Sequence, residues 1–192
     1  NIIEAGNLKK REEIIDLICN PAFKQTSKKA IPENCFVPGE EGNPAFIALD
    51  FGICIDGSGE LIPQLIEMQG FASLYAWQHE LGKQYKAHFP IPDTVDHLFN
   101  GLDEMSYIDL LKKIIIGNHQ PENVIILEIE PDKQKTWIDF YLTRSMLDIE
   151  PVCISKIIKE GKDLFYMKNG VKTKIHRIYD RLIFDELQAR KD

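Results

Sequence analysis

The residues best suited to chemistry are two acids and an amide within residues 45–69. Asp50, Glu67 and Gln69 lie on either side of a Gly-rich turn sequence at residues 56–59. Carboxylate and amide oxygens are the ligands that Mg²⁺ takes from proteins, and waters and substrate phosphates complete its shell. The three residues are therefore a candidate magnesium–phosphate site.

The periodicity of this segment predicts a β-hairpin that holds the two acids. Every odd position of residues 45–55 is apolar and the even positions are mixed. This period of two is typical of a strand with two unlike faces. The turn that follows predicts a return strand over residues 61–69.

A register follows if residues 58–59 form a two-residue loop. Phe51 then pairs with Ile66, and Asp50 lies opposite Glu67. Any register that keeps the apolar residues together also keeps both acids on the other face. Facing carboxylates repel each other, and a divalent cation between them would relieve the repulsion. The alternative is that both acids lie on a solvated face with water and lysine partners.

Composition restricts the class of protein. The 192 residues carry a net charge of −7 and are 44% apolar, an ordinary globular mixture. The charge argues against binding to nucleic acids and to anionic membranes. The four cysteines form no CxxC pair, and no apolar run approaches the length of a membrane span, so we expect a cytoplasmic protein with reduced thiols. The oligomeric state is not indicated.

The first part of the chain, residues 1–117, is predicted to be a mixed α+β region around the hairpin. Its other elements are amphipathic helices and one long loop rich in Pro, Gly, Lys and Asn. The helices are predicted at residues 7–19, 74–86 and 103–116, with Ser73 as the N-cap of the second, and the loop at residues 20–44.

The second part, residues 118–192, is predicted to be a Rossmann-like α/β region, so that the fold class is α/β. A short apolar strand, a helix and a second strand make a βαβ unit with parallel strands. An Asn-Gly turn then predicts a second hairpin, and the chain ends in one more helix. These elements fall at residues 124–127, 132–147, 151–155, 164–179 and 185–191.

The acidic hairpin resembles the magnesium-binding hairpin of ATP-grasp enzymes. That motif has an Asp on one strand, a turn, and Glu-x-Asn on the next strand, as residues 50–53 and 65–69 do here with Gln in the last place. Residues 70–75, Gly-Phe-Ala-Ser-Leu-Tyr, are similar to the stretch that follows in circularly permuted ATP-grasp proteins.

The second half is similar to the pre-ATP-grasp domain that follows the hairpin in this permuted branch, which includes glutathionylspermidine-synthase-like proteins. Residues 124–127 resemble its first strand, residues 162–174 its hairpin, and residues 176–181 its Arg-containing strand. The resemblance covers roughly residues 45–80 and 122–187, and the order of the motifs is its most specific feature.

The resemblance implies an ATP-dependent carboxylate–amine ligase with Mg²⁺ and ATP as cofactors. In that chemistry ATP phosphorylates a carboxylate, and an amine then displaces phosphate from the acyl phosphate. The substrates would be a small-molecule or peptide carboxylate and an amine. The resemblance assigns Asp50, Glu67 and Gln69 to the metal, and Ser73, Arg177 and Arg181 to the substrate carboxylate or phosphate.

The sequence departs from the family at several points. Gln69 stands where the family has Asn, and Asp180 replaces the first Arg of an Arg pair. The chain has no Gly-rich phosphate loop and no strand-borne Lys in an ATP-binding context, elements that would follow Asp192 in the permuted order. We therefore expect a fragment of a ligase that is inactive on its own, with no catalytic residue assigned. The alternative is a non-catalytic binding or structural module with the same fold.

Overall fold

The computed structural model describes residues 12–27, 45–70 and 73–190. Contacts divide the chain into two units, Asn1–Ala72 and Ser73–Asp192. This division lies N-terminal of the boundary predicted near residue 117. The reason is that the helices following residue 73 pack on a later helix of the second unit.

The described part of the first unit contains two short helices, α1 (residues 12–19) and α2 (Pro21–Ser27). Asn20 separates them, and its side-chain oxygen accepts hydrogen bonds from the first backbone amides of α2. With Pro21 at the first helical position, this is a common helix start. The predicted loop at residues 20–44 is thus partly helical, and residues 7–11 and 28–44 lie outside the described residues.

The hairpin consists of β1 (Ala48–Ile55) and β2 (Leu61–Gln69), which pair antiparallel. Asp50 lies opposite Glu67, as predicted. The predicted pairing of Phe51 with Ile66 is wrong, because a bulge after Asp50 places Phe51 opposite Leu65. Ile66 is the extra residue and is 70% exposed.

The hairpin loop has three residues, 57–59, and the predicted two-residue loop is wrong. The amide of Asp56 donates to the carbonyl of Glu60 (2.9 Å), and Gly59 takes a φ of 86°. The Asp56 carboxylate accepts hydrogen bonds from the Ser58 hydroxyl (2.6 Å) and amide (2.9 Å) and from the Glu60 amide (3.0 Å). These bonds, the Ser58 hydroxyl first, lower the pKa of Asp56.

The second unit mixes helices and strands, in agreement with the predicted α/β class. Its helices are α3 (Tyr75–His88), α4 (Glu104–Ile115), α5 (Trp137–Leu147) and α6 (Phe184–Ala189). Its strands are β3 (Val124–Glu128), β4 (Glu150–Cys153), β5 (Ile158–Glu160), β6 (Asp163–Lys168), β7 (Val171–Ile175) and β8 (Arg177–Asp180). Within the described part of the chain, no helix has both the length and the apolar character needed to cross a membrane.

Strands β4, β3 and β8 form a parallel sheet in that order, with β3 in the centre and all five of its residues buried. The prediction that the βαβ strands run parallel is confirmed. Strands β5, β6 and β7 form a separate antiparallel sheet. The predicted single return strand ending at Tyr179 is wrong. The strand is interrupted at His176, and the residues that follow join the parallel sheet as β8.

A core cluster of the second unit joins residues of both sheets. Its buried members are Ile125, Leu127, Ile129, Val152, Tyr166, Ile175 and Leu182. The one hydroxyl in this cluster is satisfied, since Tyr166 donates to the carbonyl of Glu122 (2.8 Å).

The start of α3 differs from the prediction that Ser73 caps it. The N-cap residue is Leu74, whose φ is 68°, and no side chain at this position caps the helix. The cap comes instead from α5, where Asp139 accepts a hydrogen bond from the amide of Trp77 (3.0 Å). A carboxylate at this end also interacts favourably with the helix dipole.

Candidate functional site

The hairpin brings together the three residues that the sequence assigns to a metal. The Gln69 amide nitrogen donates to Glu67 Oε1 (2.6 Å) and to Asp50 Oδ2 (3.2 Å). All three side chains therefore meet on one face of the hairpin. The register explains this, since Asp50 faces Glu67 across the strands and Gln69 faces Ala48 two residues further along.

The charge on this face has no cationic partner among the residues that the structure describes. Asp50 and Glu67 are exposed, and neither forms an ion pair with a lysine or arginine of the described residues. The amide of Gln69 is the group that bridges them, and it offsets part of their repulsion through two hydrogen bonds. Two carboxylates held side by side in water are a suitable anchor for a hydrated divalent cation.

The orientation of Gln69 decides how it would take part in metal binding. Its NH₂ group faces the carboxylates, so that in this arrangement Gln69 is a donor to the acids and its oxygen points away from them. A half-turn of the terminal amide would bring the oxygen to the same place. A metal between the acids would favour this half-turn, because the NH₂ group repels a cation.

The number of protein ligands limits the kind of metal. Residues 12–27, 45–70 and 73–190 contain no group of three or more His, Cys, Asp and Glu side chains placed to hold an ion. The hairpin offers two carboxylates and one amide. Such a set suits Mg²⁺, which keeps several waters and shares its shell with phosphates, better than Zn²⁺ with its closed set of N and S ligands.

The structure does not bring the two predicted substrate arginines together. Arg177 begins β8 and Arg181 directly follows its end, so that their backbones are about 13 Å apart at the usual rise of a strand. Arg177 donates to the carbonyl of Ile114 (2.7 Å) near the end of α4, and its guanidinium lies against Gly117. It therefore binds the carbonyl end of a helix, where a cation is favourable.

Arg181 is buried and its charge is neutralised within the protein. It is 6% exposed, its Nη1 lies 3.6 Å from Asp139 Oδ2, and its guanidinium lies over the ring of Phe140. Burial raises the pKa of Asp139, while the hydrogen bond from Trp77 and the charge of Arg181 oppose the rise. Ser73, the third predicted substrate residue, is half-buried at the start of the second unit.

A second group of polar residues lies at the carboxyl ends of the parallel strands, the edge at which open α/β sheets bind ligands. Glu128 ends β3 and Cys153 ends β4, directly paired with it, while Asp180 ends β8. Burial raises the pKa of the Glu128 carboxyl. The sequence analysis assigned no site role to these residues, although Glu128 and Asp180 directly follow predicted strands and Cys153 lies within one.

Cys153 is a second perturbed group at this edge. Its sulfur accepts a hydrogen bond from the amide of Glu130 (3.3 Å) and lies 3.1 Å from the Ser155 hydroxyl. Burial acts to raise the pKa of Cys153, but these hydrogen bonds outweigh it and the pKa is lowered. The sequence placed this cysteine in the middle of the predicted strand 151–155, and only the structure shows that the strand ends at Cys153.

Comparisons of the chain with protein-family models, with curated proteins and with solved structures found no match. The function is therefore argued from the residues and their geometry.

Proposed function

We propose that this chain carries the magnesium-binding hairpin of an ATP-dependent carboxylate–amine ligase of the ATP-grasp type. The observation that supports the proposal is the cluster on the hairpin face, where Gln69 joins the opposed carboxylates of Asp50 and Glu67. The order of these residues along the chain is the order in the ATP-grasp motif.

The residues act in this proposal as an anchor for Mg·ATP. Asp50 and Glu67 hold the ion through carboxylate oxygens, and Gln69 contributes its amide oxygen after the half-turn described above. The bound ion would neutralise charge on the phosphoryl group being transferred. The acceptor is the substrate carboxylate, and the amine then attacks the acyl carbon and releases phosphate.

We also propose that residues 118–192 form a Rossmann-like pre-ATP-grasp domain. In support, β3 lies between two parallel neighbours, and the strand that the sequence likens to the Arg-containing strand of that domain is β8. The sequence has no Gly-rich phosphate loop, so the proposal assigns the remaining contacts to ATP to residues outside this chain. The chain alone would then bind the metal without turning over ATP.

A non-catalytic binding or structural module is the second candidate. The observation that favours it is the engagement of both predicted substrate arginines, with Arg177 on the end of α4 and Arg181 on Asp139. Neither guanidinium is then directed to a substrate carboxylate. Such a module would keep the fold and the hairpin but perform no ligation.

Metal binding by the hairpin tests the first candidate. We expect one Mn²⁺ ion, used as a paramagnetic substitute for Mg²⁺, to broaden the amide NMR signals of Asp50 and Glu67 selectively. Asp50→Asn and Glu67→Gln should each weaken binding by roughly tenfold or more, because each removes one of two anionic ligands. Glu60→Gln is the matched control, since it removes an exposed charge from the same hairpin outside the cluster.

Two results would contradict the proposal. If Mn²⁺ broadens signals along the whole chain without preference, or if Glu60→Gln weakens binding as much as Asp50→Asn, the hairpin is not a specific metal site. In the complete gene product, Asp50→Asn should abolish ATP turnover with an unchanged circular dichroism spectrum. Specific metal binding without any ATP turnover in the complete product would favour the non-catalytic module.

A further inference from the structure

A cavity of about 510 Å³ lies in the second unit, and all of its lining residues fall within residues 144–169. It is bounded by the end of α5, by β4 and the turn that follows it, by β5 and by the end of β6. Its volume lies in the range of small-molecule sites, about 300–1,000 Å³. The cavity shares no residue with the acidic hairpin or with the predicted substrate residues, so it is a separate candidate site.

Positive side chains predominate among the charged groups of this cavity. Arg144, Lys156 and Lys168 line it, and Glu150 is the one acid of the lining among the residues that the structure describes. The chain as a whole carries a net charge of −7. A concave surface whose charge is opposite to that of the whole protein focuses a local field that attracts anions.

One of the three cations is already paired. Arg144 Nη2 lies 3.2 Å from Glu150 Oε1, so the guanidinium and the acid offset each other. Lys156 and Lys168 form no ion pair with any residue of the described ranges. The cavity therefore keeps two positive charges that have no acidic partner in the described part of the chain.

The place of Lys168 on β6 directs its side chain inward. Alternate residues of a strand share a face, so Lys168 lies on the same face as Leu164 and Tyr166. Tyr166 is a buried member of the core cluster, and Leu164 packs against that cluster. Lys168 is half-buried, and lysine is seldom buried without a partner. An anion in the cavity would supply this partner.

The second unpaired lysine stands beyond the carboxyl end of a parallel strand. Strand β4 ends at Cys153, and Ser155 and Lys156 lie in the 3₁₀ turn that follows it. This is the edge at which open α/β sheets bind ligands. Both side chains are exposed, and the Ser155 hydroxyl can donate a hydrogen bond to an anionic oxygen beside the lysine.

The apolar part of the lining decides what kind of anion fits. Val152 is buried, and Ile157 and Ile158 are half-buried. The ring of Tyr166 adds to this apolar wall, since its hydroxyl already donates to the carbonyl of Glu122 (2.8 Å). A bare inorganic anion would leave these surfaces in water, whereas a molecule with an apolar body would cover them.

We propose that this cavity binds a small organic dianion, with Lys156 and Lys168 at its charged groups and the apolar wall against its body. Two unpaired lysines match two negative charges, and Glu150 limits the charge of the site by holding Arg144. Phosphate monoesters and dicarboxylates share this chemistry. The proposal does not rest on the ligase function, because none of these residues is assigned a role there.

An NMR titration of the whole chain with phenyl phosphate tests the proposal. We expect saturable shifts of the amide signals of residues 155–158 and 166–169. Lys156→Gln and Lys168→Met should each raise the Kd roughly tenfold, because each removes one charge-assisted contact. Lys159→Met is the matched control and should leave the Kd unchanged, since Lys159 is an exposed lysine of β5 outside the cavity lining.

A change at the acid of the lining should act in the opposite direction. Glu150→Gln removes the negative charge from the cavity and frees the guanidinium of Arg144, so it should lower the Kd for phenyl phosphate several-fold. An unchanged or higher Kd in this variant would show that the charge of the lining does not govern binding, and would overturn the proposal.

Two further probes distinguish the sources of the dianion. Phthalate carries two carboxylates on an aromatic body, and inorganic phosphate carries charge without a body. Tighter binding of phenyl phosphate than of phthalate would identify a phosphate monoester, and the reverse order a dicarboxylate. Inorganic phosphate should bind more weakly than the better of the two, and equally tight binding would overturn the assignment to an organic molecule.

Two other results would overturn the proposal. One is the lack of any saturable shift with phenyl phosphate and phthalate, and the other is an equal effect of Lys159→Met and Lys156→Gln on the Kd. Because Lys156 is exposed, Lys156→Gln tests the site even if the change at the half-buried Lys168 prevents folding. Failure of this site would leave Mn²⁺ binding by the hairpin unaffected, so the two proposals can fail separately.

Discussion

At the scale of single residues, the buried pair of Asp139 and Arg181 shows how one side chain can hold several elements together. Asp139 lies on α5, caps α3 through the amide of Trp77 and faces Arg181 after β8. The resemblance to ATP-grasp proteins instead assigns Arg181 to a substrate. Its partners are distant in the sequence, with Trp77 and Asp139 separated by 62 residues, so that local patterns carry no trace of the pairing.

The first prediction concerns Asp139→Asn. The change removes the acid beside the buried guanidinium of Arg181, and the loss of one partner of a buried ion pair is expected to cost about 3 kcal/mol of unfolding free energy. Urea denaturation followed by circular dichroism measures this loss. Asp109→Asn is the matched control, because Asp109 is an exposed acid on α4 near Lys112, where a change of about 0.5 kcal/mol or less is expected.

A double-mutant cycle separates the pair from the cap. Asp139→Asn in an Arg181→Met background should cost less than in the wild type, since no buried cation is left behind. If the cost is the same in both backgrounds, Asp139 acts only as the cap of α3 and the ion pair with Arg181 contributes nothing measurable.

At the scale of elements, the sequence predicts those structures whose signals are local. The helix expected at residues 103–116 is α4, and its capping box between Asp103 and Ser106 is present. The Asn169-Gly170 turn also forms, with φ of 51° and 81°. Both signals are complete within a few residues, so no distant partner is needed to interpret them.

Elements that depend on distant partners were predicted less well. The sequence pattern of the residues after His176 suits a strand in either sheet. Only their pairing with β3 makes them β8. The bulge at Ile66 likewise shifts the register by one residue without changing the composition of either strand. The predicted pairing of Asp50 with Glu67 is confirmed because the longer loop shifts the register by one residue and the bulge shifts it back.

The turn of the acidic hairpin gives a prediction at this scale. Gly57 and Gly59 both have open space where a Cβ would be, but only Gly59 has a positive φ, of 86°. Gly59→Ala should therefore destabilise the hairpin by about 1 kcal/mol, because an L-residue is strained in this region. Gly57→Ala should be neutral or slightly stabilising through the entropy of the unfolded chain.

Hydrogen exchange of the β1 and β2 amides measures the difference between these two variants. Faster exchange in Gly59→Ala, with wild-type exchange in Gly57→Ala, is the expected result. Equal exchange in both would mean that the conformation at Gly59 does not limit the opening of the hairpin.

At the scale of the whole molecule, the two units differ in how their apolar residues are used. The second unit buries apolar side chains from its helices and from both of its sheets, whereas the hairpin exposes large apolar side chains, among them Ile53 and Ile55. The boundary near residue 117 was predicted from the change between a mixed α+β pattern and a βαβ pattern in the sequence. The contacts follow packing instead, and α3 and α4 belong with α5 in the second unit.

This division predicts that residues 73–192 fold without the first unit. These residues contain every member of the core cluster. They also contain both partners of the Asp139–Arg181 pair and of the hydrogen-bonded His79–His97 pair. A polypeptide of residues 73–192 should therefore give amide NMR shifts that match those of the whole chain and a single cooperative thermal transition. Broad, poorly dispersed signals from it would show that its core needs residues 1–72 and that the division at residue 73 does not mark an independently folding unit.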